Sequence, residues 1–153
     1  YKNFDLNVFF RFSGGNKIMN ASRQSALFNM DFSNNGTEIL GRWISPEQPG
    51  DGMTPKIGYG GAPSLFNDGY TDSHFVESGN YLKLSTLALG YTLPKAVVSK
   101  LNMTKIRFYV QGQNLLTITG YSGLDPETNS RLGVDWNGMP QQRSFTFGAN
   151  ITF

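Results

Sequence analysis

The chain has no cysteine and a single histidine, His74. Without thiols there is no disulfide, no thiolate nucleophile and no Cys-ligated zinc. Serine-type catalysis would have to run through His74, yet no G-x-S-x-G elbow accompanies it. His74 therefore reads as a solvated loop histidine. Charge is sparse too: 16% of residues are charged, the net charge is +2, and no basic run suggests nucleic acid. No stretch approaches the 18 or so apolar residues that a transmembrane helix needs. Gly58-Tyr-Gly60-Gly61 is not followed by Lys-Ser/Thr and is no phosphate loop. Asp68, Asp72 and Glu77 lack the spacing of an EF-hand. The expectation is of no catalytic residue, no metal ligand and no cofactor.

What is abundant points elsewhere. The 153 residues include 18 glycines and 12 phenylalanines, a mixture that suits alternating strands and glycine-rich loops better than helices. Alternation is clearest over 143–153, where Phe145, Phe147, Ala149, Ile151 and Phe153 share one parity and Thr146, Gly148, Asn150 and Thr152 the other. Successive side chains of a strand point to opposite faces, so this segment has one apolar face and one small, polar face. Its length, about 9–11 residues, is what a tilted strand needs to cross a bilayer.

Three further segments repeat the pattern. Over 3–13, Phe4, Leu6, Val8 and Phe10 oppose Asp5, Asn7 and Arg11. Over 81–92 the apolar phase changes near Ser85-Thr86, as a bulge or a strand rising out of lipid into protein contacts would produce, and Leu87, Leu89 and Tyr91 then share a face. Over 105–119, Ile106, Phe108 and Val110 oppose Arg107, Tyr109, Gln111 and Gln113. The expectation is a set of lipid-facing rows (Phe4, Leu6, Val8, Phe10, Leu87, Leu89, Tyr91, Ile106, Phe108, Val110). The lumen-facing set is Asp5, Asn7, Arg11, Arg107, Tyr109, Gln111 and Gln113, since an Asp or Arg is costly against hydrocarbon.

The connections alternate in length. Residues 14–80 make a long link, with a short helix expected from Asn20 to about Phe32, capped by Asn20 or Ser22. Residues 93–104 make a short turn with Pro94 at its start and Asn102 at its end, and 120–142 make a medium loop. Barrels of outer-membrane type place short turns on the periplasmic side and long loops outside. Loops 14–80 and 120–142 are accordingly expected to be external and 93–104 periplasmic. Trp43, Tyr59, Phe66, Tyr70 and Phe75 in the long loop could stack on a ligand or partner, though holding the loop together is the commoner use of such rings.

Four strands cannot close on themselves, and an open sheet edge is forbidden in hydrocarbon. Single-chain barrels start at eight strands. Either several copies share a barrel or the strands belong to a larger one; no heptad stalk favours the first. A precursor signal peptide is expected ahead of Tyr1.

The block Tyr81-Leu-Lys-Leu-Ser-Thr-Leu-Ala-Leu-Gly-Tyr-Thr-Leu-Pro94 resembles one near the end of SusC/RagA-type TonB-linked outer-membrane transporters of the Bacteroidetes. So do 110–119 (Val-Gln-Gly-Gln-Asn-Leu-Leu-Thr-Ile-Thr) and 121–127 (Tyr-Ser-Gly-Leu-Asp-Pro-Glu), in the same order. The resemblance implies an all-β fold, the C-terminal four strands of a transmembrane antiparallel barrel of about 22 strands. It further implies a plug and a TonB-contacting part elsewhere, a SusD-like surface lipoprotein as partner, outer-membrane lipid around the wall, and a glycan or peptide as cargo. Phe145, Phe147, Ile151 and Phe153 resemble the C-terminal signal read by the barrel-assembly machinery. The residues alone leave two other readings open: a soluble β-sandwich module binding carbohydrate, and a passive porin.

Overall fold

The structure is a computed structural model that describes residues 2–28, 34–54, 56, 73–127 and 132–153. Its contacts divide into two compact units: residues 1–16, 79–120 and 140–153 in one, and 17–78 with 121–139 in the other.

The first unit is a sheet of four long strands, β1 (Phe4–Ser13), β4 (Tyr81–Thr92), β5 (Lys105–Thr119) and β7 (Ser144–Thr152). They lie in the order β1-β4-β5-β7, and all neighbours are antiparallel. The register carries each apolar row onto the next. Leu6 pairs with Leu89, Leu89 with Val110 and Val110 with Phe147; Phe4, Tyr91, Phe108 and Ala149 form the neighbouring row. A one-residue slip would scatter these rows over both faces, so the alternation itself selects the register. β4 reverses phase at Ser85, which has no partner on either side, while Asn114 and Leu115 of β5 bulge out opposite it. The bulge anticipated from the sequence is thus present, and it restores Leu82 and Leu84 to the apolar face.

No second sheet covers that face within the unit, and its rings stand open: Phe147 is 78% exposed and Phe108 51%. The outer sides of β1 and β7 have no strand partner among the described residues. A self-contained sandwich has neither property. Ile106 departs from the expected row. Its register is right, opposite Ile151, but it is buried rather than open. The short helix α2 (Lys95–Val98), opened by Pro94, packs against β5 at this end, and Leu93 donates to the Ile106 carbonyl. Asn102, in the left-handed region at φ 54°, closes the turn as helix ends commonly do.

Apart from the short helix expected after Asn20, the second unit is built from what the sequence offers only as loop. β2 (Lys17–Asn20) pairs antiparallel with β3 (Val76–Ser78) and parallel with β6 (Val134–Asp135). The helix α1 (Ala21–Phe28) starts on Asn20, whose side-chain oxygen accepts the Arg23 amide at 2.8 Å. That is a cap on the helix's unpaired first turn, and of the two expected caps it is Asn20 that serves. Ile18, Ala21, Leu27, Phe75 and Tyr121 form the buried apolar centre. Among the described residues no helix is long and apolar enough to cross a membrane, which does not bear on strands.

Candidate functional site

Two places gather polar chemistry, one on each unit. On the long sheet it is the face opposite the aromatic rows, where Asp5, Gly90, Tyr109 and Gly148 occupy one register line. Arg107, two residues along β5, reaches across Gly90 to Asp5. Its Nε donates to one carboxylate oxygen at 2.9 Å and its Nη2 to the other. Such a forked pair fixes direction as well as charge. The Arg107 guanidinium also lies 5.3 Å from the Tyr109 ring centroid. The two glycines make this possible. A Cβ on Gly90 would run into the guanidinium and Asp5, and one on Gly148 would meet the Tyr109 ring at 2.5 Å.

Gly90→Val is therefore expected to displace the ion pair and destabilise the long sheet by about 1–3 kcal/mol, the usual cost of overpacking. The thermal midpoint of unfolding measures it, and an unshifted midpoint would show that the pair yields freely.

Farther along this face Arg11 donates to Ser85 in the bulge at 2.7 Å, and Lys83 is buried beside it. Nothing in the alternation of β4 marks Lys83 as a covered residue. Asn7, Gln111 and Gln113 share the polar face by register, with Phe9 as its one large apolar member on β1.

On the second unit the polar atoms converge on Arg23. It forks onto Glu38, with Nε to Oε2 at 2.9 Å, and reaches Glu77 at 3.5 Å. His74 lies 3.4 Å from Glu38, so it is part of this cluster and not a solvated loop histidine. Glu77 also accepts from the Ser122 amide at 2.8 Å, the Ser122 hydroxyl at 2.7 Å and Asn20 at 3.1 Å. The Tyr121 hydroxyl donates to Asp135 at 2.6 Å; burial first, then that carboxylate, pushes its pKa well up. Among the described residues no group of three or more His, Asp or Glu could hold a metal ion; Asp68 and Asp72 lie outside them. Glu77 is occupied by protein donors.

The charge cluster makes the second unit acid-sensitive. Arg23's hydrogen bond holds the Glu38 carboxyl below its usual value despite opposing burial. For Glu77, burial is the largest influence and acts upward, but the donors from Ser122 and Asn20 and the charge of Arg23 together outweigh it. Folded-state values below the unfolded ones give stability that is complete above the ordinary carboxyl range and lost as the pH falls through the depressed values. Amide exchange in 17–28 and 76–78, corrected for intrinsic rate, is expected to stay flat at neutral pH and to accelerate below about pH 4.5, the unperturbed value for both groups. Flat protection down to pH 2 would contradict this.

Of the aromatic side chains expected to meet a ligand, Phe75 is a correction. It is 1% exposed, with Arg23 stacked 5.7 Å from its ring centroid and the His74 ring edge-on at 4.9 Å. Trp43 is half-buried, with the Lys56 ammonium 5.6 Å from its ring, at the mouth of a turn that Asp51 closes by accepting the Met53 and Thr54 amides. Tyr59, Phe66 and Tyr70 lie outside the described residues. Open apolar side chains of the loops include instead Leu40, Leu132, Trp136 and Met139, which carry no sequence signal beyond being apolar.

No family model matches the sequence. Individual proteins do. TonB-dependent receptor P3 of Formosa agariphila is 32% identical over 163 aligned positions, covering all of this chain. TonB-dependent receptor SusC of Bacteroides thetaiotaomicron is 26% identical, again over all of it. The solved structure of the RagAB peptide transporter superposes with a TM-score of 0.77 and 26% identity over 99% of the chain. The chain spans 14–16% of the length of these relatives. An antiparallel sheet with unpaired borders, one ringed apolar face and one charged face is a piece of β-barrel wall with its loops. Over its whole length the chain is similar to TonB-dependent receptors of the SusC/RagA type.

Proposed function

We propose that this chain forms wall and loops of an outer-membrane importer that takes up glycans or peptides through TonB-coupled energy. The observation that carries the reading is the aligned set of open aromatic and aliphatic rows on one face, opposite the Asp5–Arg107 pair on the other. Apolar rows against acyl chains and ions against water or a plug are the arrangement a transmembrane barrel requires. Both borders of the sheet then continue into the remaining wall, since unpaired backbone groups have no water in hydrocarbon.

In this reading the turn at 93–104 faces the periplasm, and loops 14–80 and 120–142 face outward. Phe4, Leu6, Val8, Phe10, Leu87, Leu89, Tyr91, Phe108 and Val110 meet lipid. Asp5, Asn7, Arg11, Arg107, Tyr109, Gln111 and Gln113 line the interior, and Phe145, Phe147, Ile151 and Phe153 present the strand read during barrel assembly. A strand with a free backbone edge is what strand addition to an assembly factor uses. A SusD-like lipoprotein is the expected external partner; the open side chains of Trp136 and Met139 support a contact surface on the loops. The proteins it resembles are a TonB-dependent receptor and a peptide importer.

Uptake tests the reading. Cells lacking the full-length gene should lose accumulation of a labelled oligosaccharide or peptide pool, and regain it from a plasmid only while the inner-membrane proton gradient is intact. Accumulation that survives a protonophore would point to a passive pore.

A further inference from the structure

Ile106 belongs by register to the aromatic face of the long sheet, yet it is only 6% exposed. What folds over it is the turn at 93–104. The helix α2 packs on β5, and Val98 is its one buried residue. The Val98 carbonyl accepts the Met103 amide at 3.2 Å, and the Leu93 amide donates to the Ile106 carbonyl at 2.9 Å. Both ends of the turn are thereby drawn against the same strand. The short helix, with the 3-10 turn Ser99–Leu101 that continues it, therefore lies over the aromatic side of the sheet's end.

Helical spacing sorts the side chains of this turn. Leu101 is four residues after Val97 and three after Val98, so the three form one apolar stripe. Val98 turns inward to the sheet, whereas Val97 is 44% exposed and Leu101 52%. Lys95, three before Val98, and Lys100, three after Val97, border the stripe on its two sides. Both lysines are exposed, as are Ala96 and Ser99 on the far side of the helix. No Asp or Glu occurs from Leu93 to Lys105. Single open aliphatic residues are ordinary on a protein surface. These two differ in prolonging the face that carries Phe108 and Val110 beyond the covered Ile106.

We propose that this turn is an interfacial foot of the wall. Val97 and Leu101 enter the edge of the acyl region, and Lys95 and Lys100 lie along the headgroup phosphates of the same leaflet. The proposal rests on the reading that the aromatic face meets lipid. Phospholipid is the occupant because the stripe is continuous with that face. Lysine stems also follow an apolar boundary while their ammonium groups stay with phosphate and water. Helices with one apolar face and lysines beside it settle about 5–10 Å into the boundary between headgroups and chains.

The test uses the full-length transporter, cleared of other cysteines, in nanodiscs of phosphatidylethanolamine and phosphatidylglycerol. Ala96→Cys, Val97→Cys, Ser99→Cys and Leu101→Cys are each labelled with a small fluorophore. Two quenchers are compared: a phosphatidylcholine carrying a nitroxide high on its acyl chain, and iodide in the water. The ratio of lipid to iodide quenching should be severalfold higher at 97 and 101 than at 96 and 99. Labels at 97 and 101 that iodide quenches as freely as those at 96 and 99 overturn the proposal. So do labels there that are shielded from both quenchers, which would mean a docked protein. Adding Lys95→Gln and Lys100→Gln should lower the ratio at 97 and 101, and an unchanged ratio overturns the lysines' part. All four labelled positions are exposed, so the Val98–Ile106 packing is left alone, and heat-modifiable migration checks folding. Phe108→Cys separates the two readings. If lipid quenches it but not the labels at 97 and 101, this proposal fails alone; if only iodide does, the barrel reading fails with it.

Discussion

Phe147→Arg is expected to remove most of the folded barrel from the full-length protein, while Thr146→Arg, one residue earlier, leaves most of it intact. Phe147 ends the row that begins with Leu6 and passes through Leu89 and Val110, and it is 78% exposed. In water such a position is forgiving: substitutions of open side chains usually fall within about 0.5 kcal/mol. Against acyl chains the same guanidinium costs about 2–4 kcal/mol near the bilayer midplane, or some thirtyfold to a thousandfold in the folded ratio at about 1.4 kcal/mol per tenfold. Thr146 pairs with Gln111 on the other face, where a cation joins water and polar side chains. The contrast between neighbours isolates the face from general damage to β7. It is read as the heat-modifiable fraction on electrophoresis after refolding into lipid. Two variants that fold equally well would mean that the aromatic rows do not meet lipid.

The long sheet was legible because its signal is repeated. Each strand carries at least three alternations of one face, and the antiparallel register adds them, so Phe108, Val110 and Phe147 fall in line without any tertiary information. Even the irregularity at Ser85 showed as a break in phase. Gly90 and Gly148 were visible only as glycines; what they accommodate appears once register sets them beside Arg107 and Tyr109. Ile106 shows the limit of periodicity, which gives a side chain's face but not whether a neighbouring turn folds over it. Of the second unit only the short helix after Asn20, with its cap, was legible. Strands of four, three and two residues are too short for alternation to rise above chance. Their partners are distant, Lys17 opposite Ser78, and the ion cluster draws on positions from Asn20 to Ser122. Glu77 read as a loose carboxylate because nothing local announces Arg23 or Ser122 as its donors. The resemblance of 81–94 and 110–127 to known transporters added the family, and that likewise could not be reached from spacing.

Phe75→Ala is expected to unfold the second unit locally without dissolving the long sheet. The ring is 1% exposed, at the end of a single 3-10 turn (Ser73–Phe75) that delivers the chain into β3. Beside it lie the Arg23 guanidinium and the His74 ring. Removing a buried phenylalanine forfeits its transfer energy and leaves a cavity that the surroundings only partly fill, together about 3–5 kcal/mol. The unit has few large apolar residues to spare: beside Ala21 and Pro126, Ile18, Leu27 and Tyr121 are the other apolar side chains it buries among the described residues. The Arg23 fork loses its apolar backing at the same time, so its hold on Glu38 and Glu77 is exposed to water and weakens. Amide exchange in 17–28 and 73–78 should therefore rise by two to three orders of magnitude, as about 1.4 kcal/mol per tenfold requires. Exchange in 81–92 and 105–119 should stay slow, since local opening proceeds in cooperative units. Phe75→Leu, which keeps most of the volume, should show a fraction of the effect. A ring that served mainly to touch cargo would behave in the opposite way: Phe75→Ala would leave exchange unchanged in the empty protein and alter only the uptake of substrate.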